Sequence, residues 1–163
     1  MSEVTPAIGS IIGGCRIKAE LGRGGMGVVY LAEQEALGRR VALKVISPTL
    51  AGDVGFRARF ERESRLAASI DHPNVVPVYS AGESGGLLYI VMRYVRGVDL
   101  RKVLDKDGAV DSAKAVQIVA DVAAALDAAH ESDLVHRDVK PANILLTRTS
   151  EGDRAYLSDF GLT

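Results

Sequence analysis

The spacing of apolar residues changes period several times along the chain, and each change marks an element. Arg16-Ile17-Lys18-Ala19-Glu20-Leu21 is strand-like and runs into Gly22-Arg23-Gly24-Gly25-Met26-Gly27. Val28-Val29-Tyr30-Leu31-Ala32 then leads away, which predicts a hairpin with a wide glycine tip. A third strand, Val41-Ala42-Leu43-Lys44-Val45-Ile46, is closed by Pro48. Beyond Gly55 the period turns helical, with Phe56, Phe60, Ala67 and Ile70 on one stripe that ends before Pro73. Two further strands are expected near 75–80 and 87–94, separated by Gly82-Glu83-Ser84-Gly85-Gly86.

Residues 95–98 form the best internal boundary. A short helix is expected near 99–104, then a longer alanine-rich one capped by Asp111 or Ser112, with Val116, Val119, Ala123, Leu126 and His130 on one face. Short strands are expected around Val135, 144–146 and 155–157. Residues 1–14, with Pro6 and three glycines, read as a partly mobile N-terminal lead.

Composition narrows the class without naming a function. The 163 residues suit one domain with a real core. Twenty basic against 21 acidic side chains give a net charge of −1, which argues against a basic nucleic-acid groove. A lone cysteine, Cys15, cannot form an internal disulfide, which suits a reducing, cytoplasmic setting. No run of about 18 apolar residues offers a membrane span, and no secretory start is evident.

Two charged residues stand where the pattern asks for apolar ones. Lys44 lies mid-strand among Val41, Ala42, Leu43, Val45 and Ile46. Glu63 falls within about 40° of Phe56 on a helical wheel of about 100° per residue, as Phe60, Ala67 and Ile70 do. An unpaired buried charge is costly, so the economical arrangement brings Lys44 and Glu63 together. The alternative is that both long side chains reach water at an edge.

Gly22, Gly24 and Gly27 fit GxGxxG, but a dinucleotide fingerprint needs a helix next, and Val28-Val29-Tyr30-Leu31 is strand-like. What remains is a strand–glycine–strand flap whose N–H groups can close over phosphates, or an ordinary flexible hairpin. Near the C-terminus, His136-Arg137-Asp138-Val139-Lys140-Pro141-Ala142-Asn143 packs a carboxylate, an ammonium and an amide into one loop. Ser158-Asp159-Phe160-Gly161 adds a second carboxylate after a strand. Carboxylate and amide oxygens suit Mg²⁺, Asp138 can orient or accept a hydroxyl proton, and Lys140 can neutralise a transferring phosphoryl group.

Taken in order, these elements resemble the protein-kinase signature set, for which the handling of ATP is a known template. Gly24-Gly25-Met26-Gly27 with Val28-Val29-Tyr30, His72-Pro73-Asn74 and Tyr89-Ile90-Val91-Met92 look most like bacterial, eukaryotic-like serine/threonine protein kinases. The resemblance implies an α+β fold: a five-stranded antiparallel N-lobe sheet with one helix over 15–95, and an incomplete, mainly helical C-lobe over 96–163. It also implies ATP-dependent phosphorylation of protein Ser/Thr hydroxyls, with ATP and Mg²⁺ (or Mn²⁺) as cofactors. The alternative is an ATP-binding but inactive, pseudokinase-like fragment.

By the same resemblance, Leu21, Gly22, Arg23, Gly24, Gly25, Met26, Gly27 and Val29 would cover ATP. Ala42 and Leu145 would sandwich the adenine, Met92 would be the gatekeeper, and backbone groups of Arg93 and Val95 would bond the adenine edge. Asp99 would meet the ribose. Lys44 would bind the α- and β-phosphates, held by Glu63; Asp138 would be the base, Lys140 a γ-phosphate contact, and Asn143 and Asp159 the metal ligands. Arg137 is of the type that docks a phosphorylated activation segment. Arg93 departs from a commonly acidic position, but the adenine contact there is a backbone one. An activation segment, an Ala-Pro-Glu motif and a helical subdomain would be missing after Thr163, which leaves Val116 and Val119 partly exposed and predicts poor solubility or self-association.

Overall fold

In the computed structural model, residues 6–150 and 152–160 are described, and the chain divides into two units: Met1–Ala68 with Val78–Tyr94, and Ser69–Pro77 with Val95–Thr163. The first unit is built on an antiparallel sheet in the order β1-β2-β3-β4-β6-β5. Its strands are β1 (Ile11–Ile12), β2 (Cys15–Gly24), β3 (Gly27–Gln34), β4 (Arg39–Ile46), β5 (Val78–Ser84) and β6 (Leu87–Arg93). The five strands expected from the sequence are present. The sixth, β1, comes from the lead: Ile12 pairs with Cys15 across Gly13-Gly14, both at positive φ, so the end of the lead belongs to the sheet.

Strand alternation sorts side chains between two faces. One face forms a core of Ile12, Cys15, Ile17, Val28, Tyr30, Ala32, Val41, Leu43, Val45 and Val91. Cys15 is a fully buried free thiol whose pKa burial pushes up. Helix α1 (Pro48–Ala51) follows β4, and helix α2 (Val54–Ser69) buries Phe56, Phe60, Glu63, Ser64 and Ala67. Glu63 therefore does point into the apolar stripe.

Two turns are tighter than the sequence suggests. Gly24 pairs with Gly27, so the glycine hairpin closes over Gly25 and Met26 alone. Likewise Ser84 pairs with Leu87, and Gly85 and Gly86 take φ of 58° and 79°, the two positive values a type I′ turn requires. Strand β5 starts later than expected because Val75 and Val76 are drawn to the second unit, where Val76 N–H donates to Leu157 O.

The second unit contains β7 (Val98–Asp99), α3 (Leu100–Asp107), α4 (Ser112–Glu131), β8 (Ile144–Thr149) and β9 (Gly152–Leu157), with the sheet order β7-β8-β9. Asp99 and Asp111 cap the helices by accepting from Lys102 N and Lys114 N. No strand forms at Val135, which lies exposed in the loop after α4.

Helix α4 leaves Val116 and Val119 exposed, as expected, and buries a second face. Ile118, Val122, Ala125 and Ala129 are buried, and the helix packs on β9. Val116 and Val119 are 69% and 66% exposed, and Ala123 and His130 are exposed as well. The helix is apolar on both sides, and only the side of Ile118, Val122, Ala125 and Ala129 is covered. Among the described residues no helix is long and apolar enough to cross a membrane.

The glycines of the hairpin are not equivalent. A Cβ at Gly27 would lie 2.0 Å from Val45 O, at a φ of +142°, whereas at Gly22, Gly24 and Gly25 it would meet nothing within 4 Å. Gly27→Ala is expected to destabilise the chain by roughly 2 kcal/mol or more, and Gly24→Ala to change stability by less than about 0.5 kcal/mol. Chemical denaturation followed by circular dichroism compares the two.

Candidate active site

In the first unit, strand register assembles the expected nucleotide contacts. Gly22 pairs with Val29, Val29 with Lys44, and Lys44 with Ile90. One step along, Leu31 pairs with Ala42 and Ala42 with Met92. Directly paired residues share a face, so Val29, Ala42, Lys44 and Met92 lie together on the face opposite the apolar core. Ala42 and Met92 are both 8% exposed. Lys44 and Glu63 are 6% and 7% exposed, and both are engaged with other groups. Burying two charges carries a desolvation cost that their partners must offset.

The glycine hairpin is the open part of this unit. Leu21, Gly22, Arg23, Gly24 and Gly25 are exposed, Met26 is half-buried, and Arg23 turns back to pair with Glu20 at 2.9 Å. At Gly22, Gly24 and Gly25 no atom lies within 4 Å of where a Cβ would stand, so the backbone is open on that side. Arg93 ends β6 exposed, on the sheet parity of Val41, and Val95 is half-buried outside regular structure.

In the second unit, the loop at 136–143 is held by a dense polar network. The His136 ring is 1% exposed; its Nε2 lies 2.8 Å from Ser158 O, and Asp138 N–H donates to its Nδ1 at 3.2 Å. Nδ1 must therefore accept, which places the proton on Nε2. The ring also meets Phe160 edge-on, with centroids 4.8 Å apart. Asn143 Nδ2 donates to Asp138 O at 2.8 Å and to Asp138 Oδ2 at 3.1 Å, and Lys140 Nζ pairs with the same Oδ2 at 2.6 Å. Ser158 N–H donates to Asn143 O at 3.0 Å.

Asp138, Lys140 and Asn143 are thus brought together directly, and Asp159 is placed by its neighbour Ser158. Asp159 is half-buried with φ of 63°, and Arg137 has φ of 64°. Left-handed non-glycine residues store strain and cluster at working sites; two of the three in the described chain flank this network. Gly161 lies outside the described residues.

Electrostatics follow from these contacts. The Lys140 hydrogen bond holds the Asp138 carboxyl below the usual carboxylate range; partial burial opposes it, and Asn143 and the Lys140 charge assist. At Asp99 partial burial acts upward, but the Lys102 backbone N–H and ammonium outweigh it and hold the carboxyl low. Asp99 is therefore already occupied as the α3 cap, with Lys102 Nζ 2.9 Å from its Oδ2. It sits opposite Leu145 in the β7–β8 pairing, so these two expected ligand contacts are neighbours.

Three contributors had no role assigned from the sequence. Ser158 supplies the carbonyl that fixes His136. Asn74 holds β9 through Nδ2 to Ala155 O at 2.9 Å and by accepting Leu157 N–H at 2.7 Å. Asp121 on α4 accepts Ala155 N–H at 2.9 Å. The His72-Pro73-Asn74 motif was the available signal for Asn74; nothing in the helical pattern singled out Asp121.

A family profile described as "Protein kinase domain" matches residues 15–163. Among known proteins, the serine/threonine-protein kinase PknJ of Mycobacterium bovis is 48% identical over 155 residues, covering 94% of this chain and 26% of that protein. PknD of Mycobacterium tuberculosis is 46% identical over 162 residues, covering 99% of this chain and 24% of PknD. Among solved structures, the Mycobacterium tuberculosis PknI kinase domain matches with a TM-score of 0.85 and 42% identity, covering 98% of this chain and 64% of that one. The chain therefore spans about a quarter of the length of these curated relatives and less than two thirds of the solved domain.

Removing Lys140 tests the electrostatics. In Lys140→Met the Asp138 carboxyl should titrate closer to the ordinary value of about 3.9. Because the folded-state pKa is depressed, its stabilising contribution is full above that ordinary value and is lost as pH falls through the lowered one. Carbon-detected NMR titration of the Asp138 carboxyl reads the upward shift.

Proposed function

The chain belongs to the protein kinase family, and from that premise we propose that it carries the residues for transferring the γ-phosphoryl group of ATP to Ser/Thr hydroxyls of proteins. The observation that carries the reading is the Asp138 carboxylate, held by Lys140 and Asn143 in a loop locked by buried His136. That is a preorganised anion beside a cation, the arrangement phosphoryl transfer needs.

Each group has a role within that reading. Lys44 binds the α- and β-phosphates and pairs with Glu63, which accounts for two buried charges on β4 and α2. The hairpin at 21–27 and Val29 cover the nucleotide; Ala42, Met92 and Leu145 contact the adenine, and backbone groups of Arg93 and Val95 bond its edge. Asp99 contacts the ribose through whatever acceptor capacity its cap leaves. Asp138, ionised at neutral pH, orients the acceptor hydroxyl and receives its proton as the new O–P bond forms and the bond to the β-phosphate oxygen breaks. Lys140 offsets the charge of the transferring group.

The donor set fits a hard divalent cation. Asn143 commits Nδ2 to Asp138, which leaves Oδ1 as its oxygen donor, and Asp159 adds a carboxylate. Mg²⁺, or Mn²⁺ in its place, takes few protein oxygens and completes its shell with phosphates and water, and held there it would neutralise phosphate charge. ATP as cosubstrate and the buried free thiol of Cys15 support a reducing, cytoplasmic setting for that activity.

The direct test incubates this chain, and a form extended to a complete kinase domain, with Mg-ATP and a generic Ser/Thr acceptor. Phosphate on the acceptor with the extended form is the expected outcome. ATP binding by both forms with transfer by neither would leave only the inactive, pseudokinase-like alternative. In the active form, Asp138→Asn should retain nucleotide binding while transfer falls about 10²- to 10⁴-fold. Lys44→Met should lose transfer with the protein still folded; an unchanged rate would remove Lys44 from the site.

The exposed Val116–Val119–Ala123 stripe of α4 is the surface through which we propose this chain self-associates. Sedimentation velocity should show concentration-dependent assembly that Val116→Lys with Val119→Lys abolishes.

A further inference from the structure

We propose that Arg57 is a positioning residue that sets the rotation of helix α2 and so the direction of Glu63; the inference rests on the nucleotide-binding reading above. Its guanidinium is shared between two partners on different elements. Nη1 donates to Ala51 O, the last residue of α1, at 3.2 Å, and Nη2 pairs with Glu83 on β5. α1 follows directly on β4, the strand of Lys44, and β5 is the edge strand at the far end of the sheet from β1. One side chain thus ties the helix carrying Glu63 both to the segment leaving the Lys44 strand and to the sheet edge.

The first turn of α2 has one further restraint. Asp53 Oδ1 accepts Phe56 N–H at 2.5 Å, and Asp53 O accepts Arg57 N–H at 3.0 Å. These bonds fix where the helix starts but act close to its axis. Phe56 and Phe60 stack with centroids 6.4 Å apart and bury the apolar face, yet apolar contact is non-directional and tolerates rolling. The Arg57 clasp acts on the flank of the helix, where a directional bond resists rotation. Glu63 lies six residues on, about 9 Å along the axis and about 120° around it, so any roll of α2 swings its carboxylate.

The exposure of the pair supports a directing role over a global one. The Arg57 and Glu83 side chains are 36% and 44% exposed, and ion pairs this wet add little to overall stability. Losing the clasp should loosen the helix without unfolding the unit.

The test uses this chain with Arg57→Ala, Glu83→Ala and the exchanged pair Arg57→Glu/Glu83→Arg. Titration with a fluorescent Mg-ATP analogue should show each single variant binding about three- to fivefold more weakly, with the exchanged pair recovering only the part carried by the ion pair, since a glutamate at 57 cannot donate to Ala51 O. Hydrogen exchange should quicken in α2 while the sheet strands and the melting temperature stay as in the parent. In a Glu63→Gln background, Arg57→Ala should cost no further affinity, because both changes then remove the same contribution. Full additivity in that background, or unchanged α2 exchange in Arg57→Ala, would overturn the proposal. So would faster exchange throughout the unit with a lowered melting temperature, which marks a merely structural residue. A parent chain that binds no nucleotide refutes the nucleotide reading instead, and the α2 exchange then decides the clasp by itself.

Discussion

The second unit depends on one buried imidazole. His136 donates from Nε2 to Ser158 O and accepts the Asp138 N–H at Nδ1, so a single ring joins the loop of Asp138 to the strand end that carries Asp159. Burial to 1% exposure removes competing water, which strengthens both bonds and makes a lost partner costly. Phe160 closes over the ring edge. With the ring in place, Asn143 can reach Asp138, and Ser158 can bond back to Asn143. The network is closed, and a closed network holds a carboxylate at one orientation.

That network would be worth little if β9 could slide. Its outer edge is sealed by groups from two other segments: Asn74 takes Ala155 O and Leu157 N–H, Val76 donates to Leu157 O, and Asp121 accepts Ala155 N–H. An edge strand with unpaired groups is a liability, and here the sealing also fixes the register that delivers Ser158 and Asp159. The first unit uses a different device. Its central strands β3, β4 and β6 pair without a register shift, one face filling the apolar core and the other carrying Val29, Ala42, Lys44 and Met92. A charged residue can sit mid-strand because the face it occupies is not the core.

Much of this was legible in residue order. Glu63 on the apolar stripe, the glycine flap without a following helix, and the Asp138-to-Asn143 loop each violate a local expectation, and such violations concentrate at working sites. Other features had no local signature. Helix α4 is apolar on two sides, so periodicity could not choose between the Val116 stripe and the Ile118 stripe; only the packing of the helix on β9 decides it. Gly27 looks like its neighbours in the motif, yet it is required by Val45 O rather than by a ligand. Asp99 also serves as a helix cap, a use that the match to a motif position hides.

By itself, the sequence determined which residue types could do chemistry and the order in which they occur, because spacing and charge are properties of the chain. It also set the strand and helix periods, since those follow from which positions are apolar. The tertiary structure alone decided which face of a two-sided helix is covered and which glycine meets backbone. It likewise decided which partner sets the proton on His136 and the acidity of Asp138. Those outcomes depend on atoms brought together from distant positions, such as Asn74 with Ala155 or His136 with Ser158, and no local window of residues contains both members of such a pair.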